Sequence, residues 1–296
     1  MVLNYLILIV ISSFWALGFL FVKVGERSIT PISEMTLRAV IAAITLVIIC
    51  IILKKDLIKP LRKFRAFLLF SVLGVTIPWL GIAYSEEIIS SGLAATMLAI
   101  LPIFTYLITT FIIKTEKFTV HGAAGLAIAL LGLVLVIGVN NILSHNSTLM
   151  GAMIILGAFF SYAVNGILVP VYAKDTDPFV IITYTIGFAA IIIAVLAFII
   201  EEPTMVTFNT ENILALLGLA VISTAFGFSG YYFLIDRAGP FFTSLLGYLA
   251  PVFGVIFGVV FLDNRFNTLQ LVGIALVLLG IVLINKQKLL SIFIKH

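Results

Sequence analysis

The chain is poor in charge: of 296 residues only 10% are Asp, Glu, Lys or Arg, while 62% are hydrophobic. Soluble domains carry roughly 25% charged and about 45–50% apolar residues, so water is not the main solvent here. Cysteine is almost absent. Cys50 stands alone, which excludes an intrachain disulfide and argues against a cysteine-based metal cluster. His121, His145 and His296 are the only histidines and are too scattered for a metal site. No Walker A pattern, nucleophile elbow or His-Glu-x-x-His occurs, which argues against ATP-driven work by this chain alone and against recognisable hydrolysis. No metal, cofactor or catalytic residue is therefore expected, and the chain reads as a non-enzyme. The formal charge of +4 could suggest nucleic acid, but the cations sit in short connections between apolar runs. They report topology, and no nucleic-acid partner is expected.

What the chain has in abundance is long apolar runs, each long enough to cross a hydrocarbon layer of roughly 30 Å. Boundaries of charged, Pro, Gly or Asn residues predict helices at 3–24, 32–53, 66–86, 91–113, 119–139, 148–172, 178–200, 212–235, 241–262 and 268–285. The separations hardest to place are Glu86 to Ser91 and Asp236 to Pro240. The first run has no basic residue before it, and Lys23, Glu26 and Arg27 follow it in place of a small-x-small cleavage site. It reads as a retained helix, not a signal peptide.

Cytoplasmic loops retain Lys and Arg. The connection after the second helix holds Lys54, Lys55, Lys59, Arg62, Lys63 and Arg65. Alternation from there puts Lys114, Lys117, Lys174, Arg237, Lys286, Lys288 and Lys295 on the same side, leaving Lys23, Arg27 and Arg265 opposite and Arg38 inside a helix. Both termini are predicted cytoplasmic. The two halves also repeat. Trp15-Ala16 falls on Tyr162-Ala163, Pro31 on Pro178 and Ala42-Ala43 on Ala189-Ala190, a constant shift of 147 residues. At nearly the same shift Pro102 falls on Pro251, Lys117-Phe118 on Arg265-Phe266, Gly125 on Gly273 and Gly132 on Gly280. Similar halves with an odd number of helices each must be inverted in the membrane, a geometry that supports alternating access. The predicted fold is thus an all-α polytopic membrane protein of ten transmembrane helices, as two inverted five-helix repeats at 1–140 and 148–286, with a cytoplasmic tail at 287–296.

From Ile222 to Ile284 the chain carries Tyr231-Tyr232, Ser244-Leu245-Leu246, Ala250-Pro251-Val252-Phe253 and Leu271-Val272-Gly273 through Leu279-Gly280. The first half has Leu101-Pro102, Glu116-Lys117-Phe118-Thr119 and Gly125 to Gly132, preceded by Ser13-Phe14-Trp15-Ala16 and by Arg38 with Ala42 and Ala43. In these segments, over essentially its whole length, the chain resembles the EamA-type permeases of the drug/metabolite transporter superfamily. It departs from them at Asp263-Asn264-Arg265, where the family usually has a Glu-Arg pair. The resemblance implies transport of a small organic solute through a central cavity near the bilayer midplane, but not which solute.

Within that frame, aromatic and polar residues at helical spacing are the candidate substrate contacts: Trp15, Trp79, Tyr162, Asn165, Tyr232, Ser244 and Tyr248. The competing reading is that such aromatics only pack between helices or sit in interfacial belts. Arg38 is the one basic residue well inside a helix and could bind a carboxylate, or form a structural pair with Glu34 one turn away. Glu86 and Glu87, with Lys23 near the same side, are candidates for gating or coupling; adjacent residues point apart, so at most one of the two acids should line the pathway. Pro102 and Pro251 interrupt apolar helices and predict bends, and the glycines spaced by seven predict close helix packing.

The sequence thus reads as a secondary transporter of the prokaryotic cytoplasmic (inner) membrane, with an amino acid or related zwitterion as the solute that best fits one buried Arg among aromatics. An exporter of cationic or aromatic metabolites or drugs is the alternative, and a membrane-embedded enzyme or scaffold the alternative from another class. The expected partners are the lipid bilayer and the small-molecule substrate, and a homodimer is among the assemblies the sequence leaves open.

Overall fold

The computed structural model describes residues 2–114, 119–138, 147–201, 209–244 and 246–284, excepting the side chains of 2, 235, 236, 239–244 and 248. Among the described residues there are ten helical spans and no strand. They are α1 (Val2–Gly25), α2 (Pro31–Ile52), α3 (a 3-10 turn Lys59–Lys63, then Phe64–Ser71, Val72–Thr76 and Ile77–Glu86) and α4 (Ser91–Met97, Leu98–Ile100, Leu101–Leu107 and Ile108–Ile112). There follow α5 (Val120–Ile137), α6 (Ser147–Tyr172), α7 (Pro178–Ile200), α8 (Thr210–Leu217, Gly218–Phe226 and Gly227–Ser244), α9 (Leu246–Leu262) and α10 (Thr268–Ile284). Eight helices are long and apolar enough to cross a membrane, and the shorter Leu249–Leu262 and Thr268–Ile284 complete the set. Their outer faces carry bare aliphatic and aromatic side chains, Phe198 at 90% exposure among them. Such a surface is stable against lipid, not water.

The helices pack in a pattern unchanged by exchanging each span of one half with its counterpart in the other. The helix α2 packs on α7, α4 on α9 and α5 on α10; α1 lies against α8 and α9 as α6 lies against α3 and α4. The glycine contacts fix the directions. A Cβ on Gly125 would lie 2.6 Å from the Gly280 carbonyl oxygen, and one on Gly132 would lie 2.6 Å from that of Gly273. As position rises along α5 it falls along α10, so these counterparts run antiparallel and the halves are inverted. Backbones this close are what a seven-residue glycine spacing permits.

Helix α2 starts at Pro31 because proline needs no intrahelical donor at that position, and its freed amides are met from the other half. The carboxylate of Glu201, just past α7, accepts from the backbone N–H groups of Ile32 and Ser33 at 3.0 Å each and from the Thr30 hydroxyl at 2.6 Å. At the opposite end Asp177 accepts from Phe179 N–H at the start of α7 and pairs with Lys55, just past α2, at 2.6 Å. One boundary differs from the sequence expectation. The break expected at Asp236 to Pro240 is absent, and α8 stays helical through those positions to Ser244. A proline removes one backbone donor, which a helix inside a membrane bundle tolerates. The other separation, Glu86 to Ser91, falls where the charged pair ends α3 and Ser90 caps α4 by accepting from Leu93 N–H at 3.3 Å. The loop residue Lys117, His145 and the tail 287–296 lie outside the described residues.

Candidate functional site

Between the two halves lies a narrow cavity of about 40 Å³, bounded by α1, α2, α3, α4, α6 and α8. Its walls include Trp15 and Phe19 of α1, Arg38 of α2, Tyr162 of α6, and Ser223 and Phe228 of α8, with Gly18, Val22, Ile82, Leu98 and Phe159 completing an apolar lining. Trp15, Phe19 and Val22 are successive turns of one α1 face. Two aromatic groups flank the space. Trp15 stands 5.0 Å from the Phe228 ring and stacks at 5.3 Å on Tyr231. Opposite, Trp79 donates its indole N–H to the Tyr162 hydroxyl at 3.0 Å.

Arg38 is the charged centre of this lining. Its guanidinium carbon lies 3.6 Å from the centroid of Trp79, a cation–π arrangement. Nε donates to the Thr224 hydroxyl at 2.9 Å, and a terminal nitrogen reaches the Met35 sulfur at 3.6 Å. Thr224 is held in turn by its bond to the Leu219 carbonyl at 2.7 Å, inside the π-helical stretch Gly218–Phe226. Such widened turns bring consecutive side chains to a site that an α-helix would keep apart. Arg38 is only 6% exposed, and among the described residues no carboxylate reaches its guanidinium as an ion pair. The structural pair with Glu34 expected as one option is therefore not a contact. An arginine carries five N–H donors, so the arrangement leaves it able to take a planar anion two-pronged.

One turn of α1 beyond the cavity lies a wider opening of about 450 Å³, lined by Lys23, Glu26, Arg27, Glu87, Ser90 and Asn264, with Leu262 at its edge. Lys23 pairs with Glu26 at 3.2 Å and donates to the Glu86 backbone carbonyl, not to a carboxylate of Glu86 or Glu87. Burial pushes the Glu26 carboxyl up to about 7, against the pull of Lys23. Of the adjacent acids, Glu87 lines the opening and Glu86 is fully buried.

The sequence candidates thus divide. Trp15, Arg38 and Tyr162 line the cavity directly. Trp79 is fully buried behind the guanidinium, and Tyr232 meets Tyr231 edge-on at 5.5 Å. Asn165 packs against Gly74, its Oδ1 without a hydrogen-bond partner. Ser244 and Tyr248 lie outside the described side chains. The residues missed are Ser223, Thr224 and Phe228; the polar Ser-Thr pair in an otherwise apolar span was the available signal.

A bundle of inverted, lipid-facing apolar halves around a buried cavity is that of a polytopic membrane protein. The model of the EamA-like transporter family matches residues 3–138 and again 149–286, so the chain belongs to that family and is a membrane transporter. It is similar to "Uncharacterized transporter YoaV" of Bacillus subtilis (24% identical, covering 93% of this chain and 94% of that one). It is also similar to "Protein PagO" of Salmonella typhimurium (26%, covering 84% and 82%) and to the "Probable amino-acid metabolite efflux pump" of Escherichia coli (26%, covering 90% and 89%). A solved crystal structure superposes with TM-score 0.69 at 16% identity over 99% of both chains, which supports the fold.

Proposed function

We propose that the chain is a secondary carrier of a small organic zwitterion, an amino acid or close relative. It holds the solute carboxylate on Arg38 and the apolar side chain among Trp15, Phe19 and Phe228. The observation that carries this reading is a guanidinium in a largely apolar cavity with, among the described residues, no anion paired to it. A cation in that setting is costly unless an anion or water meets it, and aromatic walls supply the apolar area for a side chain. The name of the Escherichia coli relative, an amino-acid metabolite efflux pump, agrees with it. The carrier works by alternating access between inverted halves, in the cytoplasmic membrane of a prokaryote. Both termini face the cytoplasm, because Lys55, Lys63, Lys174 and Arg237 share the membrane side on which α1 begins. Counterflow of labelled phenylalanine, leucine and threonine into preloaded proteoliposomes tests this. Exchange of at least one, lost in Arg38→Gln, is the expected result; exchange of organic cations only would replace the zwitterion with a cationic solute.

A further inference from the structure

The proposed solute site leaves one group of side chains unused. Glu34 on α2 and Glu86 on α3 are both fully buried, at 0% exposure, and among the described residues none of their four carboxyl oxygens has a hydrogen-bond partner. Gly25 makes room for the first: a Cβ there would collide with the Glu34 carboxyl, so the acid lies against bare α1 backbone beside Lys23 and Glu26. An ionised carboxyl deprived of water and partners is strongly disfavoured, and it is stable there only with a proton or a cation beside it.

The charges around the pair can be counted. Those that act on Glu34 are Glu26 and Arg38, and those that act on Glu86 are Glu26, Lys23, Glu34 and Arg38. Glu87 faces the opening and acts on Glu26, and the Tyr162 hydroxyl of α6 lies near Arg38. Three screened acids, Glu26, Glu34 and Glu86, therefore share two bases, Lys23 and Arg38. Fully ionised, the group carries one negative charge too many; one bound proton makes it neutral. A coordinated metal ion is a poorer answer, because among the described residues no three acidic, His or Cys side chains converge to hold one.

We propose that Glu34 and Glu86 form a proton-binding site that takes up a single proton on one or the other carboxyl, lying between the outer opening and Arg38, and that transport is coupled to its loading. Glu26 is the exchange point with water. It lines the opening, is tied to Lys23, and lies within the field of both buried acids. The coupling rests on the carrier reading above; the proton site itself does not.

The two are tested separately. In purified protein at pH 9, where Glu26 is ionised, infrared spectroscopy is expected to show the carbonyl stretch of a protonated carboxyl. Either Glu34→Gln or Glu86→Gln alone should abolish it, because each removes one negative charge and leaves the rest balanced. Asp56→Asn, an exposed acid at the other membrane surface, should leave it intact. A band halved by each substitution, or unchanged by both, would overturn the single-proton site. Should a Gln variant fail to fold, Gly25→Ala displaces the Glu34 carboxyl with all charges kept and should shift the band. In proteoliposomes containing a pH indicator, phenylalanine movement by the wild type should move protons. Glu34→Gln and Glu86→Gln should keep phenylalanine counterflow but lose pH-driven accumulation to the level of protein-free vesicles. Accumulation driven by sodium at constant pH would overturn the proton assignment. Absent counterflow with an intact infrared result would overturn the solute reading alone.

Discussion

The two flanks of the cavity occupy equivalent places in the repeat yet differ in chemistry. Trp15 with Phe228 on one flank corresponds to Tyr162 with Trp79 on the other: Tyr162 is the counterpart of Trp15, and Trp79 that of Phe228. The aromatic frame is thus duplicated. The charge is not. Arg38 corresponds to Thr185 and Glu34 to Ile181, at the same shift that aligns Pro31 with Pro178. The structural role of these helices survives in both halves, so the packing of α2 on α7 is indifferent to which of them bears the guanidinium. Duplication supplied the scaffold, and divergence at a few inward positions supplied the chemistry.

The comparison can be broken most severely at its charged member. Arg38→Gln removes the only cation of the lining, and removing one partner of a buried charged contact costs about 2–5 kcal/mol. Phenylalanine counterflow should fall by about 30-fold to more than a thousandfold. Arg38→Lys should recover little of it, since lysine cannot keep the flat stacking on Trp79 together with the Thr224 bond. The shared scaffold is next. Gly132→Ala forces a methyl onto the Gly273 carbonyl and should cost about 1–3 kcal/mol, read as a lower melting temperature in detergent. Gly157→Ala meets nothing within 4 Å and should leave the melting temperature unchanged or raise it slightly.

A smaller effect is expected from making the flanks more alike. Trp79→Phe copies the Phe228 side, loses the hydrogen bond to Tyr162 and should weaken exchange by about 3- to 10-fold, for roughly 1 kcal/mol. The mildest is a pH effect at the opening. The Glu26 carboxyl is raised from 4.5 to about 7 in the folded protein, so folding favours its protonated form. That contribution is complete below pH 4.5 and is lost as pH rises through 7. The melting temperature should therefore decline across that interval, and Glu26→Gln should flatten the decline.

Much of the fold was legible in the residues because the bilayer imposes simple rules. Apolar length marks each span, and a charged pair such as Glu86-Glu87 marks where one ends. The repeat was legible because prolines and glycines serve backbone geometry, which both halves share. At Asp236 to Pro240 the same reasoning failed, since a proline breaks helices in water more surely than in a packed membrane bundle. The site was partly legible. Arg38, Trp15 and Tyr162 stand out as polar or aromatic residues in apolar spans and do line the cavity. Thr224 escaped notice because its approach to Arg38 depends on the widened turns of α8, which hydropathy does not encode. Glu34 looked like an arginine partner by spacing alone, and only three-dimensional packing shows its carboxyl turned against Gly25.

The paired termini of α2 and α7 have a mechanical meaning. Glu201 fastens the start of α2 at one membrane surface, and Asp177 with Lys55 fastens the start of α7 at the other. A seam riveted at both rims does not part like the covers of a book. An alternating-access motion of the kind proposed above that kept those rivets would swing about α2 and α7 as an axle.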